Sequence, residues 1–224
     1  MINLNRKFNY TLREKTFKPS NAQFRMIYDS KVDGTYWSKT LSKYVDYKNE
    51  LKKEHYFGQT MRCAYCRAKL RADAYWEDLD HIVPQSIKGE WVFYPKNLIT
   101  TCPPCNRLKN ADNTLSNPMT TRFPLYSNGF TIFNPHFDSW SDHFQIVNGI
   151  FLKGVPGTKG PQTYHYCQLY RMDIILAYSD EQRIFSLFTM RRLTHRLKSV
   201  DIGSREEQSI RKAITHIIRM KKQN

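Results

Sequence analysis

The stretch that decides the reading runs from Asp78 to Asn110, DLDHIVPQSIKGEWVFYPKNLITTCPPCNRLKN, and it is preceded by a second short run, Arg62–Leu70, RCAYCRAKL. Each run carries a Cys-x-x-Cys pair, Cys63/Cys66 and Cys102/Cys105. Between the pairs lie Asp80, His81 and Asn97, and Asn106 follows the last cysteine directly. A structural zinc ion takes four soft ligands at tetrahedral positions, and a Cys-x-x-Cys turn brings two thiolates to one metal with little strain. Two such pairs supply all four ligands, so the spacing predicts a closed Zn²⁺ site. In a reducing compartment it argues for metal over disulfides. The interval between the pairs exceeds that of a minimal zinc ribbon, so the metal must clamp a substantial segment between its knuckles. Cys167, the fifth cysteine, reads as a small core residue.

Hydrolysis of a phosphodiester needs a base to deprotonate water, a hard divalent cation to offset the developing charge, and oxygen ligands to hold that cation. Asp80 places a carboxylate next to the His81 imidazole, and Asn106 arrives behind a knuckle that would fix it rigidly. Successive residues of a strand point to opposite faces, so the pair must sit at a strand end or a bulge if both side chains are to reach one phosphate.

LDHIVPQS, PKNL and CPPCNRLKN resemble, in that order, the three signature blocks of the HNH, or ββα-metal, endonuclease family. The first block is particularly similar to the HNH domain of the RNA-guided CRISPR nucleases. The resemblance implies a role for each position. His81 matches the general base that activates water, and Asp80 a ligand of the catalytic Mg²⁺. Asn97 matches the residue that braces the loop carrying the histidine. Asn106 matches the second protein ligand, where many members have histidine, which makes this the H-N-N subtype. An amide oxygen in that place favours Mg²⁺ or Mn²⁺ over Zn²⁺. The four cysteines match the zinc knuckles that anchor many family members. On the motif helix, Lys109 and Arg107 are candidates for contact with the scissile phosphate, against the plainer reading of a solvated helix face.

The flanks carry less chemistry. Lys and Arg number 35 against 20 Asp and Glu, a formal net charge of +15, which suits a partner rich in phosphate. No apolar run approaches the ~20 residues of a membrane span, and a cytoplasmic protein is the expectation. Two helices are expected before the first cysteine pair, one around Phe24, Ile27 and Tyr28, the other from Leu41, Tyr44, Val45, Lys48 and Leu51 and ending at Gly58. Asn148-Gly149, between Phe144/Ile146 and Ile150/Leu152, predicts a β-hairpin. Ser179 with Gln182 and Ser204 with Glu207 have the spacing of helix-starting capping boxes, and Ile210, Ala213, Ile214, Ile217 and Ile218 form an apolar stripe. In NPHFDSWSDHF, His136, Asp138, Asp142 and His143 invite a second metal site, but a loop packing Trp140 and Phe144 against the core is the better reading.

The expected fold is therefore α+β: a zinc-anchored ββα-metal core with N-terminal helices, a β-hairpin segment and a helical C-terminal region. The expected divisions are 1–57, N-terminal helical; 58–117, the HNH/zinc module; 118–162, loop and hairpin; and 163–224, basic and helical. The last division holds a tail from Glu181 to Asn224 with eleven Lys/Arg against four acids, which suits either a nucleic-acid backbone or the solvated side of a bundle. The expected function is metal-dependent cleavage of nucleic acid, DNA favoured over tRNA or other RNA. The layout is similar to stand-alone bacterial HNH proteins, some of them nuclease partners of ABC-type ATPases in anti-phage systems such as Septu and its retron-linked relatives. A non-cleaving zinc-anchored binding subunit remains an alternative, as does an autonomous restriction or homing endonuclease; for the latter the chain offers no clear sequence-reading element.

Overall fold

The computed structural model describes residues 8–12, 32–70, 77–181 and 187–222. The helix expected around Phe24, Ile27 and Tyr28 lies outside them, as does Gln182. The architecture is α+β, with two small two-stranded antiparallel sheets set among helices.

The first long helix, α1 (Ser42–Gly58), ends where Gly58 was expected to end it. Its buried face is Tyr44, Tyr47, Leu51 and His55, while Leu41 lies just outside the helix and is exposed. Tyr47 joins that face because its hydroxyl donates to the Phe93 carbonyl and Tyr44 stacks on the Phe93 ring at 5.1 Å. With Val32, Leu51, Val92 and Leu98 these rings make a compact secondary core.

Strands β1 (Asp78–His81) and β2 (Leu98–Thr101) pair antiparallel with Asp80 opposite Ile99 and His81 opposite Leu98. The Gln59 side chain extends this sheet as a backbone would: Nε2 donates to Thr100 O at 2.6 Å and Oε1 accepts from Thr100 N at 2.9 Å. Helix α2 (Pro103–Lys109) follows β2 at once, with Pro103 and Pro104 in its first turn, where a missing N–H costs nothing. The strand–strand–helix order is thus ββα. A four-residue helix α3 (Trp140–His143) leads into the hairpin of β3 (Phe144–Val147) and β4 (Phe151–Gly154). Asn148 (φ 52°) and Gly149 (φ 75°) turn it with left-handed backbone, as expected, and Ile150 sits in the turn and not in the strand.

The C-terminal region holds α4 (Gly160–Tyr166), α5 (Met172–Glu181), α6 (Leu187–Leu197) and α7 (Arg205–Lys222). Ser204 caps α7 as expected: its Oγ accepts from Glu207 N at 3.1 Å, and Glu207 Oε2 accepts from Gly203 N at 2.6 Å. Ile210, Ala213 and Ile217 of the stripe are buried, while Ile218 is exposed. The box at Ser179 is corrected. Ser179 is buried inside α5, where Ile174, Ile175 and Tyr178 carry an apolar face through it, and packing overrides the local cap signal. The principal core is continuous from Phe8 to Ile217 and includes Cys167. No helix among the described residues is long and apolar enough to cross a membrane.

The NPHFDSWSDHF segment packs as expected. Trp140 is fully buried, stacks on Phe144 at 5.2 Å and donates from Nε1 to Tyr65 O at 3.0 Å. Asp138 accepts from Lys159 Nζ at 2.6 Å, Ser127 Oγ at 2.6 Å and Asn134 N at 2.9 Å. Burial alone would raise its carboxyl, but hydrogen bonds from His143, Lys159, Ser127 and Asn134 bring it down to about 2. Asp138→Ala strands the Lys159 charge and is expected to cost about 3–5 kcal/mol at neutral pH in denaturant titrations. An unfolded aspartate titrates near ~3.9, so the contribution is complete above that pH and is lost as pH falls through about 2. The gap between wild type and variant should therefore narrow over that window.

Candidate active site

Four sulfurs anchor the site. Sγ of Cys63, Cys66, Cys102 and Cys105 lie within 4.8 Å of one another, and all but Cys102 are fully buried. Like charges at this separation cannot all form unaided. Burial opposes the Cys63 thiolate, but hydrogen bonds from Cys102, Cys105 and Cys66 hold its thiol well below the usual range. Donation to the other sulfurs holds Cys66 and Cys102 well above it. A single divalent cation would release the conflict, and the all-thiolate donor set fits zinc.

From this anchor two pieces of chain converge on one cleft of about 540 Å³, lined by Asp80, His81, Asn106, Arg107 and Lys109 among others. His81 is the last residue of β1, the strand end the sequence required for the Asp-His pair to share a site. His81 Nε2 lies 3.0 Å from Val92 O. A carbonyl only accepts, so Nε2 carries the proton and the lone pair resides on Nδ1. Burial pulls the imidazole down to about 4, against the Val92 bond, so the ring is neutral near pH 7. Trp37 packs edge-on to it at 4.4 Å between ring centroids.

Asp80 is buried, and burial pushes its carboxyl up to about 6 against the pull of Lys109 and the Tyr65 hydroxyl. Lys109 Nζ is 3.3 Å from Oδ1, and Tyr65 OH is 3.3 Å from Oδ2. Each oxygen keeps a second lone pair for a hard cation. Asn106 Nδ2 donates to Asp78 Oδ2 at 3.0 Å. A carboxylate cannot donate, so the amide is fixed with Oδ1 free for a ligand. Asp80 and Asn106 thus offer oxygen donors that fit Mg²⁺ or Mn²⁺.

Asn97 is fully buried and spans the loop between the strands: Oδ1 accepts from Val83 N at 2.8 Å, and Nδ2 donates to Val83 O at 3.1 Å and Trp91 O at 3.3 Å. Gly89 lets segment 32–38 close against the same loop, since a Cβ there would stand 2.6 Å from Gly34 N.

Lys109 sits differently from its expectation as a phosphate contact. It is 1% exposed, and its Nζ donates to His81 O at 2.8 Å beside the Asp80 pair, so it faces the strand end from within. Arg107, exposed at the cleft, is the cation that faces outward. His136 donates from Nε2 to Leu98 O at 3.0 Å, and Asp138 belongs to Lys159. Among the described residues the four cysteines are the group of three or more His, Cys, Asp or Glu close enough to share an ion.

Several participants were not singled out in the sequence. Asp78 stands two residues before Asp80, on the same face of a strand, a signal that alternation supplies. Tyr65 lies within the first Cys-x-x-Cys, and nothing in that spacing marks its reach to Asp80. Trp37 comes from far upstream, and the Val92 contact is made by backbone; neither leaves a trace in the sequence.

Residues 63–112, under a quarter of the chain, match the family model described as HNH endonuclease. Over 112 residues the chain is 26% identical to the Septu protein PtuB of Bacillus thuringiensis, a match covering 50% of this chain and 38% of that relative. The chain thus spans well under half of that protein's length. No solved structure matches it. Asn97→Ala removes both ends of the loop brace and leaves Val83 N–H and the Val83 carbonyl unpaired, while Trp91 O keeps Tyr94 N. We expect a loss of about 2–3 kcal/mol in thermal melts, with faster amide exchange at Val83.

Proposed function

We propose that this chain, with its HNH endonuclease domain at residues 63–112, is a metal-dependent nuclease hydrolysing phosphodiester bonds of nucleic acid, DNA by preference. The observation that carries the reading is the meeting of His81, Asp80 and Asn106 at one cleft beside the buried four-cysteine cluster. His81 Nδ1 takes a proton from water as the oxygen attacks phosphorus in line, while Nε2–H stays on the Val92 carbonyl and holds the ring in aim. Asp80 and the Oδ1 of Asn106 would hold a divalent cation, Mg²⁺ or Mn²⁺. When bound, that cation supplies positive charge against the pentavalent phosphorus and the departing 3′ oxygen.

Around these, Asp78 orients the Asn106 amide and Asn97 steadies the loop behind His81. Lys109, tied to the Asp80 carboxylate and the His81 carbonyl, is a positioning residue, and Arg107 takes the contact with the scissile phosphate. The four cysteines hold Zn²⁺, which does no chemistry and keeps strand and helix in register. The likeness to a Septu protein supports a role as effector nuclease in an anti-phage system with an ABC-type ATPase as partner, and the basic C-terminal tail suits nucleic acid.

The test is strand cleavage of plasmid DNA and of total tRNA by the purified chain, with Mg²⁺ and with EDTA. Wild type should cut only with metal, and His81→Ala should be slower by about 10²–10⁴-fold. Asp78→Ala should cut when given about 10–100-fold more Mg²⁺. Metal-independent cutting, or equal cutting by His81→Ala, would sink the mechanism. Binding without cutting by the wild type, alone and with an ATPase partner, would leave a non-cleaving subunit.

A further inference from the structure

Outside the segment that matches the HNH family, one guanidinium reaches the sulfur cluster. Arg171, immediately before α5, donates from Nη2 to Cys105 Sγ at 3.4 Å. The rest of its fork is engaged as well: Nη1 donates to Cys167 O and to Gln168 O, Nε donates to Asp173 Oδ1 at 3.1 Å, and Nη2 also reaches Asp173 Oδ2 at 3.5 Å. With its side chain only 13% exposed, the group is held so that Nη2 lies between the Asp173 carboxylate and the Cys105 sulfur.

The first turn of a helix favours anions, and Asp173 satisfies that preference at α5; Arg171 pairs with Asp173 along one edge of its fork and turns the other edge to the sulfur. Four thiolates around one divalent cation carry a net charge of about −2, and a buried net charge is costly unless something of opposite sign is bonded to it. Arg171 supplies that charge in the form of a directed hydrogen bond. The same helix grips the knuckle further along, where Tyr178 OH donates to Cys66 O at 2.7 Å and Glu181 pairs with Arg62.

We infer that Arg171 is a positioning residue for the zinc cluster: its bond to Cys105 stabilises the charged thiolate, tightens zinc, and ties occupancy of the cluster to the docking of α5. This rests on the zinc reading of the cysteines and is independent of cleavage.

The experiment uses the full chain purified with zinc. A chromogenic chelator is titrated against wild type, Arg171→Gln and Arg171→Lys, and the sulfur-to-metal charge-transfer band is recorded on the Co²⁺-exchanged proteins. Wild type should hold one zinc per chain. Arg171→Gln should release it at about 10–100-fold lower chelator, with a displaced band, and Arg171→Lys should lie between. Equal retention and an unmoved band in Arg171→Gln overturn the inference while leaving the zinc site intact. A wild type that holds no zinc overturns the zinc reading first. Should circular dichroism show Arg171→Gln unfolded, the folded Arg171→Lys variant carries the test, and a band identical to wild type rejects the proposal.

Discussion

Four sulfurs that must share a single point are the constraint on which this structure turns. Cys66 and Cys102 approach within 3.8 Å although 36 residues separate them in the chain. Closing that interval costs conformational entropy that a metal bound in common would offset. Once it is closed, β2 and α2 leave the knuckle in fixed directions, and Asn106, the residue after Cys105, has no freedom to wander from the cleft. The cluster stands apart from the groups that line the cleft and still determines where they stand.

A second line of support runs from the opposite side. Tyr44 and Tyr47 of α1 hold Phe93, the neighbouring Val92 carbonyl fixes the His81 tautomer, and Asn97 closes the loop at its far end. Asp80 is reached from a third direction, through Trp140 on the Tyr65 carbonyl and the Tyr65 hydroxyl on Asp80. His81 and Asp80 are thus each held by residues that themselves have little room to move, the arrangement a precise site requires.

What could be read from the sequence were features that local chemistry dictates. Two Cys-x-x-Cys pairs bring their four sulfurs together, Asn148-Gly149 makes a tight turn, and Ser204 with Glu207 starts a helix, because each signal rests on the chemistry of a few residues. Ser179 carries the same local mark and misleads, since a buried apolar face outweighs one cap hydrogen bond. Lys109 looks like a surface cation on a short helix, and only the burial of that helix against β1 turns its ammonium inward. Trp37, Tyr65 and the Val92 carbonyl act through contacts between distant segments or through backbone atoms. Such contacts exist only once the chain is folded.

The principal core running from Phe8 to Ile217 has a bearing on how such a chain is inherited. The fifty residues that carry the recognisable motif share their interior with segments on both sides: Tyr65 with Trp140, Arg67 with Phe8, Cys66 with Tyr178. Motif and surroundings must therefore change in concert. A motif transplanted without those surroundings would leave Tyr65, Arg67 and Cys66 without these partners. A change in the flanks is therefore tolerable where it keeps the volumes and hydrogen-bonding atoms that the motif segment leans upon.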